Sequence, residues 1–210
     1  PDKASVMLDE IGLSERDRDG YRLRSDGKRL ELTIEYPLTH GPWMDVIEMV
    51  KKYWEAVGIK VAVKAIDRAL WQTRGFGNEL EVTAFYMDSQ APWLCEALWM
   101  VPSSNYWGIE FKRWWDSGGK AGVKPEGDMY KLLETWDKAR GSRNQMELDS
   151  AAEEIVKLHI NNIWLIGTVG ETPDIVIAKN YVRNVPEELI ADGTFDTPRN
   201  AEPQQFFIKK

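Results

Sequence analysis

The chain has one cysteine, Cys95, and two histidines, His40 and His159, in 210 residues. A single cysteine excludes an internal disulfide framework and a thiolate metal cluster, and it says nothing of compartment. We read Cys95 as an inert buried thiol. The two histidines stand apart from any serine, aspartate or cysteine pattern of a hydrolytic triad or zinc centre. His159 lies beside an apolar helical stripe, which suits a satisfied boundary histidine better than a ligand. No apolar run approaches the length needed to cross a bilayer. Basic runs are missing too: the net charge is −7 and Lys51-Lys52 is only a pair. A phosphate-binding face needs concentrated positive charge, so nucleic acid is not an expected partner. "RGFGNE" has a G-x-G without the third glycine or a preceding strand, too little for a phosphate loop. No catalytic constellation, metal site or cofactor motif assembles, and the chain is not expected to be an enzyme.

What is present is a βα alternation. "KASVMLDEIGL" spaces Ala4, Met7, Leu8 and Ile11 as a helix stopped by Gly12. Asp26-Gly27 marks a hairpin turn. Leu30, Leu32, Ile34 and Tyr36 then alternate with polar residues, predicting a half-buried strand with Glu31, Thr33 and Glu35 outward. Pro42 opens a helix with Trp43, Val46, Ile47, Val50 and Trp54 on one stripe, ended by Gly58. The strand "IKVAVKAI" follows, then a short helix capped by Asp67 and the strand "LEVTAFYM". Such an order predicts an α/β fold, a mainly parallel sheet with helices on both faces. Strands are expected near 30–36, 59–66, 80–87 and 163–169, with another at "DIVIA". Ile59, Val61, Val63, Leu32 and Ile34 are expected to be buried. Two helices are expected around Met129–Trp136 and Leu148–Leu158, and the final stretch from Pro186 reads as a tail that packs on something else.

One segment does not fit an ordinary core. Phe85 to Trp115, read as irregular, holds five of the ten tryptophans. Each indole buries up to about 250 Å², so five exposed rings would reach ~1,000 Å², beyond the few hundred a monomer tolerates. Core packing is the first reading for each ring alone; for the group, two or three are expected to line a cleft. The segment begins at the C-terminal end of a strand, where ligands sit in open α/β sheets.

In these motifs the chain resembles the C-terminal lobe of periplasmic solute-binding proteins of ABC transporters, family 5, the oligopeptide-binding type. The similarity lies in "PDKASVMLDEIGL", "DGYRLRSDGKRLELTIEY", "MVKKYWEAVGIKVAVKAID" and "RALWQTRGFGNELEVTAFYMDSQAPW". It continues in "NIWLIGTVGETPDIVIAKN", "VRNVP" and "RNAEPQQFF" and so covers almost the whole chain. The resemblance implies one of two hinged lobes closing on a solute, of type II-like architecture, with residues 1–185 forming the lobe and 186–210 a tail packing on the other lobe. It implies partners: the N-terminal lobe of the same protein, ABC permease subunits and a small oligomeric solute, sugar or peptide. It also implies a periplasmic or extracellular location, with membrane association only through the transporter. A chain opening at Pro1 is then expected to be a piece whose signal peptide lies elsewhere.

Residue by residue, the resemblance gives Asp88 the place of the acid that holds a peptide α-amino group, Phe85 that of the preceding aromatic, and Arg74 that of the arginine before the glycine turn. Ser89 and Ala91 stand where members often carry a tyrosine and an acid. Some members bind oligosaccharides, whose flat apolar faces stack on indoles. Asp88, Gln90 and Asn105 are the candidates for hydroxyl groups, beside Trp93, Trp99 or Trp107. We lean towards an oligosaccharide over a peptide; an interaction module burying its tryptophans against a permanent partner is the alternative of another class.

Overall fold

A computed structural model describes residues 1–39, 43–85, 99–104, 106–168, 175–191 and 197–209. The chain divides into two compact units, Pro1–Tyr86 and Met87–Lys210.

The first unit runs α1 (Asp2–Glu10), β1 (Glu31–Pro37), α2 (Trp43–Ala56), β2 (Lys60–Ile66), α3 (Arg68–Phe76) and β3 (Val82–Thr83). The strands form a parallel sheet in the order β2-β1-β3, with Ile34 opposite Val63 on one side and Val82 on the other. Right-handed crossovers leaving the sheet in opposite directions put α2 and α3 on opposite faces. Side chains agree. Ile34, Tyr36 and Val61 pack under Ile47, Trp43, Val50 and Trp54 of α2, while Glu35 and Thr83, on the other face, meet α3. Asp67 caps α3 as expected, its carboxylate accepting from the Ala69 and Leu70 amides.

Of the residues expected in this core, Ile34 and Val61 are buried, and Leu32, Ile59 and Val63 are half-buried. Glu35 departs from expectation. It is 6% exposed rather than outward-facing, because α3 covers that face.

α1 buries none of its residues. It is attached through Arg22, whose side chain is 1% exposed and pairs with Asp9. The same guanidinium donates to the Val57, Leu13 and Ser5 carbonyls. The Asp26-Gly27 hairpin forms as read, with Leu23 bridged to Arg29. Asp17 accepts from the Tyr21 and Asp19 amides and from Arg29. Desolvation raises its pKa, but these hydrogen bonds together outweigh it and hold the carboxyl below the ordinary 3.8.

The second unit contains α4 (Ile109–Asp116), α5 (Gly127–Gly141), α6 (Gln145–Asn162), β4 (Val182–Arg183) and β5 (Phe207–Ile208). α5 and α6 pair through Leu132, Leu133, Trp136, Ile155 and Leu158, all buried as their periodicity predicts. Three expectations fail here. Residues 109–116, read as irregular, are helical. Residues 163–168 do not form the fourth strand of the parallel sheet: α6 runs on to Asn162 and Ile163 caps it in a left-handed conformation, φ 49°. Residues 175–178 of "DIVIA" are not a strand either, and Ile177 is 92% exposed. A strand needs a hydrogen-bonding neighbour, which these apolar runs lack among the described residues. Near the end of the chain, Ile208 pairs antiparallel with Val182.

Two outcomes follow for the first unit. Arg22→Met removes three carbonyls' donor from a buried site and should lower unfolding free energy by about 3 kcal/mol. Asp9→Asn, at a half-exposed carboxylate, should cost about 1 kcal/mol or less; equal losses in urea titrations would show that Arg22 acts only through the ion pair. Because Asp17 is depressed in the folded state, its contribution is present above the ordinary 3.8 and fades as pH falls through its lower folded value. Asp17→Asn should therefore flatten the acid limb of the stability curve; an unchanged limb contradicts this.

Candidate functional site

In the order β2-β1-β3 the three strands run parallel, so their C-terminal ends share one edge of the sheet, the edge at which ligands sit in open α/β sheets. Phe85 is the last described residue leaving β3 at this end.

Phe85 is held by packing. Its ring stacks on Trp71 at 4.7 Å with 15° between planes. Trp71 is 1% exposed and donates its indole N–H to Thr83 Oγ1 at 2.6 Å. The Thr83 hydroxyl in turn donates a hydrogen bond to the Glu35 carbonyl at 2.7 Å. A hydrogen-bonded chain thus ties α3, β3 and β1 together just before the polypeptide enters the tryptophan-rich segment.

Arg74 is one turn further along α3. Its guanidinium meets Glu35 Oε2 at 2.9 Å and Glu79 Oε2 at 3.3 Å, and donates to the Glu79 carbonyl. Glu35 is the buried partner, so the pair braces the covered face of the sheet. Sequence reading missed Glu35 and Trp71. A signal existed for both: a parallel sheet is covered on both faces, so the polar-looking side of β1 had to meet a helix.

Trp107, in the second unit, is half-buried. It stacks on Trp164 at 6.1 Å and stands edge-on to His159 at 5.6 Å. His159 is satisfied by the Met100 carbonyl at 2.9 Å, in keeping with its reading as a boundary histidine. Trp99 lies 4.8 Å from Tyr106. Trp115 donates to Asp137 and packs edge-on to Tyr130. Of the expected site residues, the structure links Phe85 and Arg74 through α3 and places Trp107 in a separate aromatic cluster. Asp88, Gln90, Trp93 and Asn105, and Cys95 with them, lie outside the described residues.

A parallel sheet covered by helices on both faces, with an aromatic-rich sequence following β3, is the architecture of an α/β ligand-binding class. Residues 1–108 match the family described as "Bacterial extracellular solute-binding proteins, family 5 Middle". The chain belongs to this family. Among solved structures it is similar to an oligopeptide-binding protein OppA, with 33% identity over 100% of this chain and 35% of that one, TM-score 0.74. It is also similar in fold to the periplasmic binding protein MelB from Agrobacterium fabrum, solved with stachyose, at 15% identity over 77% of this chain and 24% of that one, TM-score 0.63. A third is the mannohexaose-bound periplasmic oligopeptide-binding protein from Thermotoga maritima, at 18% identity over 78% of this chain and 29% of that one, TM-score 0.55. No curated protein matches. The chain spans about a third or less of the length of these three structures. No helix among the described residues is long and apolar enough to cross a membrane. Family members are binding proteins rather than enzymes.

The Glu35–Arg74 brace has a measurable consequence. Arg74→Met leaves a nearly buried carboxylate unpaired and should cost about 2–3 kcal/mol, below the full range because Arg74 is about a third exposed. Adding Glu35→Leu to it should recover part of that loss. A double variant as unstable as the sum of the singles, by denaturant unfolding, would show that the two residues do not act as a pair.

Proposed function

We propose that this chain forms one wall of the solute cleft of an ABC importer's extracytoplasmic receptor. The other wall comes from a preceding lobe of the same protein, against which residues 186–210 pack, and permease subunits are the docking partners on the periplasmic or extracellular side. The observation that carries this is Phe85 stacked on Trp71 at the end of β3, immediately before the acid- and tryptophan-bearing sequence. Exposed Ile175, Val176 and Ile177 support a missing covering lobe, since bare apolar runs are costly in water. Asp88, Gln90 and Asn105 supply polar contacts in this reading; Phe85, Trp93 and Trp107 supply apolar faces. Arg74 sets the position of the strand end and borders the site.

The solute we favour is an oligosaccharide. Support comes from indole density in the segment, since stacking on a planar group contributes about 1–3 kcal/mol per ring by the nucleobase analogy. Two relatives of the same fold were solved with stachyose and mannohexaose. A peptide is the second reading, favoured by the OppA similarity at 33% identity, with Asp88 on the α-amino group.

Titrating the full-length protein with mannohexaose, stachyose and free-amine peptides separates the readings. For a sugar, Trp93→Ala should cost more than Asp88→Asn, which keeps an acceptor and loses about 1–2 kcal/mol. For a peptide the ranking reverses, because Asp88→Asn removes the ammonium's charge partner at about 2–5 kcal/mol. Unchanged affinity in both variants would remove these residues from the site.

A further inference from the structure

The aromatic cluster of the second unit contains a residue that the binding reading does not use. His159 is in the last turn of α6, one position after buried Leu158. A carbonyl can only accept, so the Met100 oxygen, 2.9 Å from His159 Nε2, fixes the proton on that nitrogen. The imidazole stands edge-on to Trp107 and nearly perpendicular to Trp164, at 5.4 Å and 85°. One side chain thus grips the turn 99–108 twice, at its entry through Met100 and at its exit through the Trp107 ring.

The turn is closed from within by Ser103, which is 6% exposed. Its amide donates to the Trp107 carbonyl at 2.9 Å, and its hydroxyl accepts from the Tyr106 amide at 3.0 Å. Gly108 completes the closure at φ +61°, where a Cβ would come within 2.8 Å of Pro102. Ser103 fixes the turn's shape but not where its rings point. Trp107 packs against the α5–α6 core, and His159 is the core-side residue that both meets its ring and bonds the turn's backbone. On the far side, left-handed Ile163 turns the chain so that Trp164 returns onto the same imidazole and stacks on Trp107.

The geometry points to His159 as a positioning residue: it holds the Trp107 indole in one orientation as a solute-stacking face, without touching the solute. The inference rests on the reading of Trp107 as a binding residue and assigns that residue's rigidity to a specific partner. A preset ring avoids the ordering cost that a mobile one incurs on binding.

The test uses the full-length protein labelled with 5-fluorotryptophan, the Trp107 resonance being assigned with Trp107→Phe. In the native protein that resonance should be single and narrow. His159→Leu fills similar space but offers the Met100 carbonyl no donor. It should split or broaden the signal and raise hydrogen exchange at amides 103–107 about tenfold, the scale of one lost hydrogen bond. His159→Gln, whose amide nitrogen can replace Nε2, should restore both. A narrow, unshifted resonance and native exchange in His159→Leu overturn the positioning role, as does failure of Gln to do better than Leu. The binding reading is scored separately. Mannohexaose or a free-amine hexapeptide should shift the Trp107 resonance of the native protein, and the absence of any shift with either removes Trp107 from the site whatever the His159 variants show.

Discussion

A parallel sheet has no face to give to water, because the helices that connect its strands must lie against it. In this chain that constraint falls on β1, the middle strand, and its consequences spread outward. One face of β1 is ordinary apolar packing under α2. The other carries Glu35 and, across the register, Thr83, and both must be satisfied away from solvent. Arg74 and Trp71 of α3 satisfy them. The same contacts fix the end of β3 and hence the direction in which Phe85 departs. A polar requirement of the fold thereby fixes the strand end from which the tryptophan-rich sequence continues.

The second unit reaches rigidity differently. Its helix pair α5–α6 is held by a conventional apolar seam, and the aromatic turn is attached to that pair by buried Val101, by Met100 and Trp107 packed on the seam, and by the His159 imidazole and the Trp164 indole. The tryptophans therefore do not form a single class. Trp71 and Trp136 are buried, Trp115 is tied to Asp137 and Tyr130, and Trp107 stands half-open beside Trp164.

Much of the first unit was legible in the sequence because each signal was local: the Asp67 cap, the Asp26-Gly27 turn, and the period-two pattern of Leu32, Ile34 and Tyr36. Glu35 was misread by the same pattern, since alternation reports side-chain direction and not what lies on the far side. Residues 163–168 and 175–178 were misread for a related reason. Composition shows that a segment could be a strand, but pairing depends on a neighbour that sequence windows do not contain. α4 was missed because its three aromatics in eight residues read as an irregular cluster rather than as a helical stripe. For the candidate site, the sequence names residues with aromatic and polar chemistry; it could not show that Trp71 stacks on Phe85 or that His159 meets Trp107, because those contacts join distant elements.

The central proposal is that the tryptophan-rich sequence following β3 binds the solute. Hydrogen exchange of the full-length protein, with and without saturating solute, measures this most directly. The account predicts slowed exchange concentrated in residues 82–107. Protection confined to other parts of the protein, with 82–107 exchanging as in the free state, would contradict it.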